Sequence, residues 1–129
     1  MNVLLIDDEK TMHEITSAFL RRYAEEHNMP VDITCATDPV KGLFEATAHG
    51  DQFDLILLDI RMPKLTGDEI FNSLMQIKPE LLDRVLFVTG YRQDLKGRFT
   101  DQPLRILDKP FRYAQLAEAI SLILNPDAH

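Results

Sequence analysis

Five short apolar runs alternate along the chain with longer stretches in which apolar residues recur at helical spacing. The runs are Val3-Leu4-Leu5-Ile6, Val31 to Ala36, Leu55-Ile56-Leu57-Leu58, Val85-Leu86-Phe87-Val88 and Leu104 to Leu107. Uninterrupted Val/Ile/Leu runs of this length suit strands covered on both faces, as parallel sheets require. The second run reads differently. Val31, Ile33 and Cys35 alternate with Asp32 and Thr34, which predicts a half-exposed edge strand with Cys35 as a small apolar residue.

Helical periodicity fills the intervals. Met12, Ile15, Phe19 and Tyr23 would share the apolar face of a first helix that ends near Asn28-Met29-Pro30. Asp38-Pro39 has the form of an N-cap followed by proline at the first helical position, and Gly50 stands where a left-handed glycine would end that helix. Thr66-Gly67-Asp68-Glu69 has capping-box spacing ahead of Ile70, Leu74 and Ile77. Leu116, Ile120 and Leu124 mark a last helix. From Tyr91 to Gln102 the pattern weakens: the stretch is polar, broken by Gly97 and closed by Pro103, and predicts one short helix followed by loop. Strand–helix alternation of this kind predicts a doubly wound α/β fold, an open five-stranded parallel sheet with helices on both faces. In such sheets ligands bind beyond the carboxyl ends of the strands.

Composition bounds the picture. The 129 residues suit one domain spanning 1–129, with no room for an output domain in this chain. Such a domain buries roughly two-thirds of its unfolded surface and needs no disulfide or structural metal. A single cysteine fits a reducing compartment. No apolar run approaches the roughly 20 residues of a membrane span, and the first residues lack the pattern of a signal peptide, so a cytoplasmic protein without membrane contact is expected. The net charge of −7 and the absence of a Lys/Arg block argue against direct nucleic-acid binding.

Polar residues gather where the fold would place a ligand. Asp7-Asp8 ends the first run, Asp59 the third and Thr89 the fourth; Lys109 follows the fifth. Singly, each has a dull explanation as a turn former, cap or surface lysine. Jointly they describe one oxygen-rich pocket at the edge of a sheet, since buried carboxylates are costly unless paired or bound to a cation. A hard cation such as Mg²⁺ suits three carboxylates with waters completing the shell. A carboxylate can act as nucleophile toward phosphorus, with cations neutralising the phosphoryl oxygens.

At these residues the sequence resembles the receiver domains of bacterial two-component response regulators, the CheY-like group of the flavodoxin-like folds. The matching stretches are LLIDDEK, LILLDIRMPKLTG, VLFVTG and ILDKPF, in family order and nearly family spacing, and the resemblance runs from Val3 to about Leu124. It implies strand order 2-1-3-4-5, Asp59 as phosphoacceptor, and Mg²⁺ (with Mn²⁺ able to substitute) held by Asp7, Asp8, Asp59 and the backbone carbonyl of Arg61. Thr89 and Lys109 would bind the phosphoryl oxygens. Gly90 would leave room beside them, Pro63 and Gly67 would shape the loop after the acceptor, and Lys109-Pro110 would be a cis peptide. It also implies a histidine kinase or histidine phosphotransfer protein as donor. An unnamed downstream protein, or a phosphorylation-dependent dimer, would read the face made by the fourth helix, fifth strand and fifth helix. Such a chain is a signalling phosphoprotein and not an enzyme, losing its own acyl phosphate slowly at a rate that Arg61 and Tyr91 influence.

Two features depart from the family pattern. Ile106 stands where many members carry a switch aromatic, and the interval from Thr89 to Lys109 is slightly short. Neither touches the phosphorylation chemistry, but Ile106 keeps open an alternative, an interaction scaffold of the same fold that works without phosphorylation. A phosphatase of the haloacid dehalogenase type is disfavoured because Arg61 occupies the place of its second acid. A nucleotide-binding Rossmann domain is disfavoured because no glycine-rich fingerprint follows the first run. His13, His27, His49 and His129 have no ligand spacing with one another or with Cys35, and surface positions are expected for all four. His13 lies near the acidic pair, but a phosphohistidine there is set aside.

Overall fold

The computed structural model describes residues 1–99 and 101–128. Five parallel strands, β1 (Asn2–Ile6), β2 (Asp32–Ala36), β3 (Leu55–Leu58), β4 (Val85–Thr89) and β5 (Ile106–Asp108), form one sheet in the order β2-β1-β3-β4-β5. Four α-helices cover it: α1 (Lys10–Glu26), α2 (Pro39–His49), α3 (Gly67–Ile77) and α4 (Tyr113–Leu124). Among the described residues no helix is long and apolar enough to cross a membrane.

The apolar runs divide by parity. Leu4, Ile6, Ile56, Leu58, Val85 and Phe87 face α2 and α3, where they meet Ala46, Ile70, Phe71 and Leu74. Val3, Leu5, Leu55, Leu57, Leu86 and Val88 face α1 and α4, where they meet Leu20, Tyr23, Leu116 and Ile120. Successive strand residues point to opposite faces, so a run apolar at every position satisfies both layers at once. β2 is the edge strand its alternation predicts, though Cys35 is exposed and not part of the apolar face.

The helices depart in detail from the predicted faces. Ile15 is 42% exposed and Ile77 61%. On α1 the buried set is His13, Thr16, Ser17, Leu20, Tyr23 and Ala24. Small Thr16 and Ser17 take the places against the sheet, and Phe19 turns sideways onto Phe111 and Tyr113. Tyr23 also reaches across the layer, its hydroxyl 2.8 Å from Ser121 Oγ on α4. The α2 N-cap is as expected, with Asp38 Oδ1 accepting from the Val40 N–H at 2.9 Å. Gly50, however, is right-handed (φ −57°) and opens a 3₁₀ turn. A Cβ there would lie 2.3 Å from Leu81 Cδ1, so a larger residue would require that side chain to shift.

Between β4 and β5 the chain forms one short helix followed by loop, as its weak pattern predicts. The expected fourth helix is a single 3₁₀ turn, Arg92–Leu95, followed by left-handed residues at Gly97 (φ 78°) and Phe99 (φ 54°). The expected face of fourth helix, fifth strand and fifth helix is corrected accordingly: here it consists of that turn, β5 and α4. The predicted fifth strand shifts as well. The Phe87 N–H donates to the Arg105 carbonyl, and the paired strand begins at Ile106 instead of Leu104.

Candidate functional site

Register brings the acids together. β1 and β3 pair as far as Ile6 with Leu58, and the ladder continues with the Asp59 N–H donating to the Ile6 carbonyl at 3.0 Å. Asp7 and Asp59 therefore leave neighbouring strands side by side. On the other flank, Thr89 pairs with Asp108, and the Lys109 N–H donates to the Thr89 carbonyl at 2.9 Å. The Lys109-Pro110 peptide is cis, as expected.

Asp7, Asp8 and Asp59 each offer a carboxylate oxygen within 4.8 Å of the others. Asp7 and Asp59 are buried while Asp8 is exposed, so the set is open on one side. Lys109 Nζ lies 3.2 Å from Asp7 Oδ2 and 3.5 Å from Asp59 Oδ1. Asp7 Oδ1 accepts the Glu9 N–H and Asp59 Oδ1 the Ile60 N–H, both at 2.9 Å. Asp59 Oδ2 takes no hydrogen bond among the described residues, and it is not sealed from solvent. It meets a recess of about 320 Å³ lined by Glu9, Asp59, Arg61, Gly90, Tyr91 and Lys109.

The electrostatics are those of two acids sharing one cation. Burial, and then the Asp7 charge, push the Asp59 carboxyl up to about 6, against the opposing pull of Lys109. Burial works against the Lys109 ammonium, but Asp59 and Asp7 outweigh it and hold its pKa above the ordinary lysine value. One lysine between two carboxylates leaves excess negative charge, and hard oxygen donors open to water fit a divalent cation with retained waters.

The remaining predicted residues fall around this centre. Thr89 is fully buried, and its Oγ1 accepts the Tyr91 N–H at 2.8 Å. Nothing lies within 4 Å of where a Cβ on Gly90 would stand. At Gly67, by contrast, a Cβ would lie 1.9 Å from the Asp59 carbonyl oxygen, and the Gly67 N–H donates to the Ile60 carbonyl at 2.8 Å. Pro63 is exposed, with its carbonyl accepting from the Leu65 N–H at 2.8 Å. The Thr66 N–H donates to Glu69 Oε1 at 3.0 Å, as capping-box spacing predicts. Ile106 is half-buried beside an apolar pocket it shares with Leu95 and Leu104, away from the acids.

Four residues escaped the sequence reading. Asp94 forks onto the Arg61 guanidinium at 2.8 and 3.2 Å, which in turn stacks 3.5 Å over the Tyr91 ring. Arg98 pairs with the buried Asp68. His13, expected at the surface, is buried at 5% exposure. Its local signal, a histidine five residues after the acidic pair, does not distinguish a buried face from an exposed one. His27 and His49 are exposed as expected, and His129 lies outside the described residues.

The sequence profile of the family described as "Response regulator receiver domain" matches residues 3–121. This chain belongs to the receiver-domain family. An uncharacterized response regulatory protein of Vibrio cholerae is 32% identical over 124 residues, which cover 96% of this chain and 48% of that protein. The chain thus spans about half the length of the curated relatives it matches over most of its length first. Sensor kinase CckA of Brucella abortus is 30% identical over 126 residues, 95% of this chain and 12% of the kinase. Among solved structures, a response regulator receiver domain from Clostridium thermocellum superposes with a TM-score of 0.81 at 24% identity, covering 98% of this chain and 96% of its own. The receiver domain of a Pseudomonas aeruginosa sensor histidine kinase, described with a magnesium ion coordinated in its active-site cleft, gives 0.77 at 20% identity, covering 95% and 96%. At these identities the structural likeness speaks for the receiver fold alone.

Proposed function

We propose that this receiver domain accepts a phosphoryl group on Asp59 and signals through the surface beside it, as a cytoplasmic module that is itself no enzyme. One observation carries the reading: Lys109 Nζ sits between Asp7 and Asp59, at 3.2 and 3.5 Å, where three carboxylates converge on an open recess. That arrangement is costly for folding alone, because two buried acids share a single cation, and it suits a ligand that brings its own charges.

Asp59 Oδ2, free of protein partners among the described residues, is the nucleophile. With its pKa at about 6, the carboxyl is mostly ionised at neutral pH. Oδ2 attacks the phosphorus of a phosphohistidine on a histidine kinase or phosphotransfer protein, or of a small acyl phosphate. A new O–P bond forms as the donor's bond to phosphorus breaks, and that electron pair leaves with the donor. The Asp7, Asp8 and Asp59 carboxylates, with the Arg61 carbonyl, would hold Mg²⁺ or Mn²⁺, which would supply positive charge to neutralise the phosphoryl oxygens. Lys109 contributes the second positive charge. Thr89 donates its hydroxyl to a phosphoryl oxygen, and the side-chain rotation that carries Oγ1 there draws it away from the Tyr91 N–H it now accepts, which moves the Gly90-Tyr91 loop. Gly90 supplies clearance, while Pro63, Gly67 and Pro110 hold the flanking loops. Arg61 and Tyr91, on the recess wall, set how readily water reaches the acyl phosphate. The altered surface is the 3₁₀ turn, β5 and α4, offered to a downstream protein or a second copy of the chain. Whether the receiver works alone or within a longer protein does not alter this chemistry.

Ile106 in place of an aromatic residue favours a second reading, a scaffold of the same fold that is never phosphorylated. Incubation with Mg²⁺ and acetyl phosphate, followed by intact-mass measurement, separates the two. One phosphoryl adduct on the wild type and none on Asp59→Asn is the expected result. No adduct on the wild type, with or without a kinase donor, supports the scaffold.

A further inference from the structure

The most unusual group outside the site's own side chains is His13. It is 5% exposed on the sheet-facing side of α1. Its Nε2 meets the main-chain carbonyl of Asp7. A carbonyl can only accept, so Nε2 carries the hydrogen. Nδ1 then has no partner; among the described residues it is the one buried side-chain nitrogen or oxygen left without one. An orphaned buried polar atom carries a desolvation cost that an apolar side chain of similar size would avoid. Packing does not account for a histidine here.

What the histidine supplies is the last handle on Asp7. The Asp7 N–H donates to the Ala36 carbonyl at 3.2 Å, Oδ1 accepts from Glu9 and Oδ2 from Lys109. The carbonyl is held by His13, whose own N–H donates to the Glu9 carbonyl at 3.2 Å. A closed ring results: Glu9 N–H to Asp7 Oδ1, His13 Nε2 to Asp7 carbonyl, His13 N–H to Glu9 carbonyl. Inside this ring lies the Asp7–Asp8 peptide plane, whose tilt aims both acidic side chains.

We propose that His13 is a positioning residue of the metal site, tying the loop that carries Asp7 and Asp8 to α1 so that both carboxylates face the cation together. It touches neither cation nor phosphoryl group and acts through the Asp7–Asp8 peptide. The inference rests on the reading of Asp7, Asp8 and Asp59 as a Mg²⁺ site. Partners that orient metal ligands from behind are worth about 10–100-fold in metal affinity.

Calorimetric titration of Mg²⁺ into wild type, His13→Leu and His13→Gln, each below its melting temperature, tests this. Glutamine places an amide N–H near the former Nε2, whereas leucine fills space without a donor. The expected result is about tenfold weaker Mg²⁺ binding in His13→Leu and affinity within about threefold of wild type in His13→Gln. Equal affinity in wild type and His13→Leu overturns the proposal, as does equal weakening in both variants, which would make the effect one of packing. Absence of Mg²⁺ binding to the wild type sinks the metal reading itself and is thereby distinguished. If His13→Leu does not fold, long-range ¹H–¹⁵N correlation of the wild-type imidazole decides instead. A neutral ring protonated at Nε2 with and without Mg²⁺ supports the role, and a ring protonated at Nδ1 overturns it.

Discussion

The two ends of the sheet's carboxyl edge are held in place by different forces. Where β1 and β3 deliver Asp7 and Asp59, the support is a continuous apolar ladder: Leu4, Ile6, Leu55, Ile56, Leu57 and Leu58 are all fully buried. Where β4 leads into β5, the connecting segment buries only Leu95 of its 3₁₀ turn, leans Phe99 on Phe71 and half-buried Leu104 on the same core, and adds Arg–Asp pairs. Arg61 holds Asp94, Arg92 holds Asp108 and Arg98 holds Asp68. Apolar packing fixes position because any shift opens a void, whereas exposed ion pairs exchange partners at little cost. The acids thus stand on continuous apolar packing, and the segment beside them on fewer apolar contacts and three ion pairs.

The contrast is broken most directly from beneath. Phe87 is fully buried in β4 and packs on Phe71 with ring centroids 5.1 Å apart. Phe87→Ala should cost about 3–5 kcal/mol in urea unfolding. A cost near that of a surface substitution would show that the strands are not the rigid partner.

Next in size is the pH dependence of the acid pair. Asp59 has a folded pKa of about 6 against 3.8 as its ordinary value, so between those values the folded state holds more protons than the unfolded one. Without metal, stability should therefore fall as pH rises from about 4 to about 6, by about 3 kcal/mol in all. Asp59→Asn should remove that fall and be the more stable form at pH 7. Mg²⁺ should raise the wild-type melting temperature more at pH 7 than at pH 5. Thermal melts across this range check each point, and a wild type whose stability rises over the same interval contradicts the assignment.

The smallest effects belong to the tethers and rank among themselves. Arg98→Ala leaves the buried Asp68 carboxylate unpaired and should cost about 1–2 kcal/mol. Arg92→Ala removes an exposed pair and should stay within about 0.5 kcal/mol. Both should increase amide exchange across Tyr91–Phe99 while leaving β1 and β3 protected. Loss of protection at Leu57 or Leu58 in either variant would mean that the two regions are one unit.

How much of this was readable beforehand follows the same division. Runs apolar at every position suit a strand covered on both faces, and three of them, with an alternating run, a fifth broken by Arg105 and helices between, limit the topology sharply. Acids at the ends of such runs then converge by register alone, so Asp7, Asp59 and Lys109 could be grouped without coordinates. Helix faces were harder. Met12, Ile15 and Phe19 outrank Thr16 and Ser17 in hydropathy, yet the small side chains are the ones against the sheet. Hydropathy does not register how closely a helix approaches. His13 was misplaced for a related reason: its partner is a backbone carbonyl, which leaves no trace in the side-chain pattern. Between Tyr91 and Pro103, structure depends on charges separated by many residues, such as Asp68 with Arg98, and no local periodicity encodes them.

The contact at Gly67 carries one more consequence. Since α3 starts with its first Cα against the Asp59 carbonyl, there is no slack between that helix and the Asp59 backbone. A tilt of α3, caused by a partner leaning on its exposed Ile77 end, would reach Asp59 as through a lever arm. Any residue larger than glycine at 67 would act as a wedge in that joint, displacing Asp59 before it unwound the helix.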